Sequence, residues 1–337
     1  MKGARNVGRG TMLALLLDGP QHALRAARVP LPVPTGQELL IRVGACGVCR
    51  TDLHIVDGEL PAHRSPLILG HEVVGTVVAG ARGGPFQIGA RVGVPWLAST
   101  CRRCTYCTSG RENLCDRAAF TGYDRDGGYA QYVTADARYC FDLPARYDDI
   151  HAAPLLCAGL IGYRAYAMVA NARRLGLFGF GAAAHIIAQI AVAQGKEIHA
   201  YTRPGDLRSQ AFALSLGAVW AGDSTATGPA LLDAAIIFAP DGALVPRALA
   251  LTSKGATVVC AGIHMADIPA FPYALLWGER TVRSVANLTR ADGEAFFALA
   301  DKIPIATHPV MYRLEQANAA LAALRAGRID GAAVLLP

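Results

Sequence analysis

Lysine is nearly missing from this chain: only four of its 32 basic residues are lysines, at Lys2, Lys196, Lys254 and Lys302. The arginines are scattered rather than blocked, and the formal net charge is a modest +6. No basic stripe with interleaved aromatic residues occurs, which argues against nucleic acid as a partner and suits small anionic molecules better. Also missing is any run approaching the ~20 apolar residues of a transmembrane helix, so no membrane partner is expected. Basic Lys2–Arg9 followed by the apolar run Met12–Leu17 has the order of a signal peptide. That run is only six residues long, however, and Asp18 ends it without a small-residue cleavage site. It reads as a first β-strand after an extended tail over residues 1–10, and the chain as a soluble cytoplasmic protein.

Internal repeats, polar tracts and low-complexity segments are absent too. With 53% hydrophobic and 17% charged residues the composition is that of a compact globular protein. A length of 337 residues favours two domains over one.

Cysteine, in contrast, is plentiful. Nine cysteines in a cytoplasmic chain point to metal binding or reactivity before disulfides. Four of them, Cys101, Cys104, Cys107 and Cys115, lie in one loop. Four thiolates so close can complete a tetrahedral zinc shell with no open position, which is the structural type of zinc site. An iron–sulfur cluster fits four thiolates too but lacks a further redox element here, and four free surface thiols fit less well because exposed thiols are oxidation liabilities. A second group combines Cys49, Thr51, Asp52 and His54 with Gly70-His71-Glu72. Within it, Cys46 and Cys49 form a Cys-x-x-Cys pair and compete as a metal ligand. Cys157 stands alone on an apolar helical stretch; since only Cys49 of the pair stands correctly before Thr51-Asp52, Cys46, Cys140 and Cys260 read as ordinary buried cysteines.

The first 95 residues alternate short β-prone runs (Leu39–Val43, Val73–Val78, Arg91–Val94) with Gly and Pro, as an irregular antiparallel domain would. Cys49–His54 falls on a loop and short helix after Leu39–Val43. From Ile150 to Asn171 the period becomes helical, with Pro154, Gly159 and Gly162 expected to interrupt it and form a hinge. The strand Leu175–Phe178 then leads into Gly179-Phe180-Gly181-Ala182-Ala183-Ala184 and a helix over Ile186–Ala193. Strand, Gly-x-Gly-x-x-Ala and helix in that order form a dinucleotide fingerprint, in which the helix N-terminus meets a pyrophosphate. Further strands are expected at Glu197–Thr202, Ala234–Phe238, Ala256–Cys260 and Thr281–Val285, which together make a doubly wound parallel sheet. The acidic residue that would bind an adenosine ribose is missing after the second strand. Thr202-Arg203 stands there instead, so NADP is favoured over NAD; Asp206 folding back to the ribose is the alternative. A helix over Glu294–Ala300, a strand over Pro309–Leu314, a helix over Gln316–Arg325 and a closing strand over Ala332–Leu336 complete the pattern.

Cys49-x-Thr51-Asp52-x-His54, Gly70-His71-Glu72-x-x-Gly75, the loop 101–115, Cys157-Ala158-Gly159 and the glycine turn occur in an order that resembles the zinc-dependent alcohol dehydrogenases of the medium-chain dehydrogenase/reductase superfamily. The resemblance runs from about Met12 onward. It implies an α/β chain with an irregular β, GroES-like catalytic domain over 11–155 and 295–337, and a Rossmann domain over 156–294. It implies two Zn2+ per chain, a catalytic ion on Cys49, His71 and Cys157 and a structural one on the four-cysteine loop. Thr51 and His54 would be the two ends of a proton path, imidazole being the side chain that ordinarily titrates near neutral pH. Asp52 would support His71 from behind, Glu72 would lie close to the zinc, and Trp96 and Leu97 would wall the substrate pocket. Gly179, Gly181, Ala184, Thr202 and Arg203 would hold the cofactor.

The expected activity is interconversion of uncharged alcohols with aldehydes or ketones using NAD(P), in a homo-oligomer, either dimer or tetramer. A non-catalytic NAD(P)-binding redox sensor and a quinone or enone reductase are the alternatives. Three departures from the family pattern stand out. Leu160-Ile161 replaces a threonine expected near the nicotinamide, Gly331-Ala332 replaces a Gly-Arg with Arg328 the nearest substitute, and Gly89-Ala90-Arg91-Val92 replaces Gly-Asp-Arg-Val.

Overall fold

A computed structural model describes residues 10–80, 84–329 and 331–337, so the expected tail lies outside the described residues except for Gly10. The chain forms two compact units. One takes the described residues up to Cys157 with Asn287–Lys302 and Thr307–Pro337; the other takes Ala158–Ala286 with Ile303–Ala306. Among the described residues no helix is long and apolar enough to cross a membrane.

The first unit is built on the strand Glu38–Val48, whose Leu39, Leu40, Ile41 and Val43 are buried. It pairs antiparallel with Val73–Gly80, and on its other side with Tyr132–Asp136 and then Ala332–Leu336. Register shifts at Leu40/Ile41 and Val43/Ala45 bend the strand. Bulges of this kind raise the local twist, which lets one strand serve successive partners. The sheet runs in the order Phe141–Asp142, Arg91–Val94, Val73–Gly80, Glu38–Val48, Ala332–Leu336, Pro309–Arg313. The C-terminal strand therefore completes the N-terminal sheet. Thr11–Leu17 pairs with Arg25–Pro30 and Leu67–Ile68 in a second sheet. The helix Arg290–Lys302 packs here as well, with the Phe297 ring 5.5 Å from Phe141 and Gly293 leaving room for that ring.

The second unit holds six parallel strands in the order Trp220–Asp223, Glu197–Thr202, Arg174–Phe178, Leu232–Ile237, Thr252–Cys260, Thr281–Ser284. Numbered along the chain this is the order 3-2-1-4-5-6 of a dinucleotide-binding sheet. Its central strands are apolar on both faces, as a sheet covered by helices requires. The edge strand Trp220–Asp223 goes unread in the sequence, because Trp-Ala-Gly-Asp is short, half-buried and without an apolar run. The glycines expected to break the helical stretch do not: Ala158–Ala167 is one helix through Gly159 and Gly162. Gly162 instead admits the neighbouring helix Ala182–Ala193, since a Cβ there would lie 2.7 Å from Ile187. The break falls earlier, at Cys157, between this helix and the turn Ala153–Leu156.

Candidate functional site

Cys49 is the N-cap of the helix Arg50–Asp57. Its sulfur accepts the Thr51 N–H at 3.4 Å, while Asp52 Oδ2 accepts the Cys49 N–H at 2.9 Å. This reciprocal cap satisfies two otherwise unpaired donors and fixes the thiol at the helix start. Gly58, at φ +78°, closes the same helix. His71 and Glu72 are buried between Gly70 and the strand Val73–Gly80. Gly47 makes space for Glu72: a Cβ at that position would sit 1.8 Å from Glu72 Oε2.

These elements bring Cys49, His71, Glu72 and Cys157 together, with one donor atom from each lying within 4.8 Å of the others. Cys49 Sγ is 3.0 Å from His71 Nε2 and 3.8 Å from Cys157 Sγ. Two thiolates bound to one tetrahedral zinc at about 2.3 Å are themselves about 3.8 Å apart. Behind His71, its Nδ1 lies 3.5 Å from Asp52 Oδ1, with both side chains fully buried.

The electrostatics also suit a cation. Proton sharing with Cys157, then burial, push the Cys49 thiol well up. Burial does the same to the Glu72 carboxyl. Burial opposes a charged His71, but the negative charges of Cys49 and Asp52 outweigh it and raise the imidazole. The donor set thus gathers protons, and a dication would replace them with one compact positive charge.

Cys101, Cys104, Cys107 and Cys115 also converge within 4.8 Å. Cys107 Sγ lies 3.5 Å from Cys104 Sγ and 3.9 Å from Cys101 Sγ. The Arg103 N–H and then the Cys104 N–H bring Cys101 down to about 5. At Cys104 the Cys107 N–H favours the thiolate, but desolvation and the adjoining thiols raise it to about 11. Four thiols this close need a cation if all are to ionise. The loop is anchored by Glu112, whose carboxylate receives the Arg290 guanidinium at 2.9 and 2.7 Å and the Arg290 backbone N–H at 2.9 Å. This anchor, 178 residues apart in the chain, has no local signal in the sequence.

Thr51 is buried on the first turn of its helix, and His54, one turn on, pairs with Glu59. Trp96 stands edge-on to His71 at 4.9 Å between ring centroids and stacks on Phe120 at 5.0 Å, with Leu97 buried beside it in the chain. In the second unit Gly179 adopts φ +87°, and a Cβ there would strike Ala239 at 2.9 Å. Gly181 caps the helix Ala182–Ala193 and faces open space, so a ligand can approach its backbone, while Ala184 is buried. Thr202 does not face outward as expected. It is buried, receives the Gln210 amide at 3.0 Å and donates toward Arg203 O at 3.2 Å. Arg203 is 87% exposed, and Asp206 is occupied by Ser209 as a helix cap. Of the departures from the family pattern, Leu160 is buried in its helix, Ala332 is buried in the closing strand and Arg328 is exposed.

Residues 35–145 match the alcohol dehydrogenase GroES-like domain family. The chain is 51% identical to Probable alcohol dehydrogenase AdhA of Mycobacterium tuberculosis, over 92% of this chain and 91% of that one. Its fold superposes on a cinnamyl alcohol dehydrogenase of Sorghum bicolor with a TM-score of 0.88, at 24% identity, covering 96% and 97% of the two chains. It superposes on acetophenone reductase of Geotrichum candidum, solved with NAD, with a TM-score of 0.86, at 25% identity over 97% of each. With relatives this similar over nearly its full length, the chain belongs to the zinc-dependent alcohol dehydrogenases of the medium-chain dehydrogenase/reductase superfamily.

Proposed function

We propose that this enzyme interconverts an uncharged alcohol and its aldehyde or ketone by hydride transfer to and from NADP, with a catalytic zinc on Cys49, His71 and Cys157. The observation that carries this reading is the convergence of those three donors from separate elements, with Glu72 beside them. When bound, the zinc polarises the alcohol oxygen and lowers its pKa, and the nicotinamide takes the hydride. Asp52 holds the His71 ring from the Nδ1 side, which leaves Nε2 for the metal. Thr51 Oγ1 would accept the proton of the alcohol as it releases its own hydroxyl proton outward. His54, on the same face one turn later and backed by Glu59, is the outlet to solvent.

Trp96 and Phe120 form an apolar wall against the metal ligand His71, which favours aliphatic and aromatic alcohols over polyols. Cys101, Cys104, Cys107 and Cys115 hold a second, structural zinc. Gly179 and Gly181, at the N-terminus of the helix Ala182–Ala193, would hold the cofactor. Arg203 would supply the charge for a 2′-phosphate, while the Thr202 hydroxyl is engaged inside the unit. Dimers or tetramers would form through Thr281–Ser284, the edge strand opposite Trp220–Asp223 in its sheet. Zinc content and turnover test the reading together. About two zincs per chain, with NADP-linked oxidation of primary or secondary alcohols exceeding the NAD-linked rate, is the expected result. Full zinc content without turnover on any alcohol or carbonyl compound would leave only a cofactor-binding protein.

A further inference from the structure

Behind the metal donors of the first unit lies an unusual concentration of unfulfilled polar atoms. Asp52 Oδ1, His71 Nδ1 and the Tyr129 hydroxyl are all buried, and none has a direct hydrogen bond. A buried polar group left unpaired is destabilising, so three at one place imply that they satisfy one another once the site is loaded. Asp52 is already held at its other oxygen by the Cys49 N–H. Its Oδ1 is therefore the acceptor left for both His71 and the phenol. Tyr129 is suited to donate, because its buried phenol O–H has no other hydrogen-bond partner among the described residues.

The backbone holds Tyr129 in place independently of that contact. Its N–H donates to Leu69 O at 2.9 Å, and its carbonyl accepts the Leu15 N–H at 2.9 Å. The ring lies against Gly70, the residue just before His71, where a Cβ would come within 2.5 Å of it. Gly70 also has φ +99°, a conformation other residues rarely adopt. One glycine therefore sets both the approach of the Tyr129 ring and the entry of the chain into His71.

We propose that Tyr129 is a positioning residue for the catalytic metal, its hydroxyl donating to Asp52 Oδ1 and so fixing the carboxylate that orients His71. The inference rests on the reading of Cys49, His71 and Cys157 as ligands. With the phenol bound, Asp52 cannot rotate away from Nδ1, the imidazole keeps its proton there, and Nε2 stays free for the metal. Replacing the hydroxyl leaves the ring packing on Gly70 untouched.

The test compares zinc-loaded wild type, Tyr129→Phe and the control Tyr132→Phe by the rate at which a chelator removes each of the two zincs, alongside Tm. Tyr129→Phe is expected to release one zinc about 10-fold faster, the scale typical of losing an outer partner of a metal-bound histidine. The other zinc and Tm should match the control. In an Asp52→Asn background the same change should add nothing, because both act through one carboxylate. A release rate within twofold of wild type overturns the proposal, as does equal acceleration of both zincs with a lowered Tm. A crystal structure of the zinc-loaded enzyme gives a second measure that needs no variant: Tyr129 and Asp52 oxygens within 3.0 Å support it, and a separation beyond 3.5 Å overturns it. A Cys104→Ser chain that is folded yet holds no zinc would instead remove the ligand reading itself.

Discussion

The two cysteine clusters of the first unit are built in opposite ways. The loop cluster draws all its sulfurs from Cys101–Cys115, and they are positioned by local N–H···S contacts, such as Cys104 N–H to Cys101 at 3.3 Å and Cys101 N–H to Cys115 at 3.4 Å. The other cluster assembles Cys49 from a helix cap, His71 from a strand entry and Cys157 from a break between helices, with 108 residues between its two thiols. On the proposed reading, the metal in the first case binds sulfurs that all belong to one loop, so metal and local structure depend on each other. In the second, sheet and helix packing place the donors, and the metal adds chemistry to a frame that stands already. Exposure does not follow this division: Cys49 and Cys157 are half-buried beside buried His71 and Glu72, and Cys101, Cys104 and Cys107 are half-buried beside buried Cys115.

Removing one sulfur from each cluster probes this contrast most severely. Cys49→Ser should lower kcat/KM by more than the ~10–100-fold typical of losing an outer partner, with Tm nearly unchanged. Cys104→Ser should leave the assembled catalytic donors in place but cost the loop its metal-linked folding energy. A loss of only about 2 kcal/mol would lower Tm by roughly 4–8 °C. Steady-state kinetics, zinc content and calorimetry on both variants decide the matter. Equal unfolding in the two would erase the distinction.

A smaller effect is expected at the anchor that ties the loop to the helix Arg290–Lys302. Burial disfavours a charged Glu112, but the hydrogen bonds and charge of Arg290 prevail and hold its carboxyl below the usual value. A carboxylate with a lowered folded-state pKa contributes stability that is complete above about pH 4.5 and lost as pH falls through the lowered value. Glu112→Gln should cost about 1–2 kcal/mol at pH 7, discounted for the partial exposure of Arg290. The Tm gap between wild type and variant should close as the solution is acidified below about pH 4.5. Zinc should leave the loop faster in the variant, while kcat at neutral pH stays close to wild type. A variant that instead lost the zinc near His71 would show that the two clusters are coupled.

How far each cluster could be read from sequence follows from the same contrast. The loop declares itself, because its ligands are close in sequence and share one chemistry. Cys157 reads as an ordinary buried cysteine until it is set beside Cys49 and His71, since nothing in Leu155-Leu156-Cys157 signals a metal. The parallel sheet was likewise visible in apolar runs and the glycine turn, but its short edge strand at Trp220 was not. Thr202 misled because side-chain type indicates chemistry and not direction; Gln210, on the following helix, reaches back and occupies its hydroxyl. Nothing in the sequence around Tyr129 signals a role at a metal site. Its relation to Asp52 exists because the fold brings the Gly127–Tyr129 turn against Leu69 and Gly70, through bonds such as Gly127 N–H to Ile68 O at 2.8 Å.

The mildest expected effect concerns Cys46, which shares a Cys-x-x-Cys spacing with Cys49 and competes with it in sequence as the first ligand. The strand separates them. Cys46 lies inside Glu38–Val48, fully buried, with its sulfur 3.5 Å from Gly47 O and packed beside Gly70 and Gly128. Burial, then the charge of Asp52, push its thiol well up, so it stays a protonated packing group. Cys46→Ala should therefore remove a small buried side chain and little else, costing about 1–2 kcal/mol. Both zincs should remain, and kcat/KM should stay within about threefold of wild type, because the cavity touches the site only through packing. Loss of one zinc in Cys46→Ala, with Cys49→Ser retaining both, would reverse the assignment. The nonlocal cluster would then be built from a strand interior rather than a helix cap.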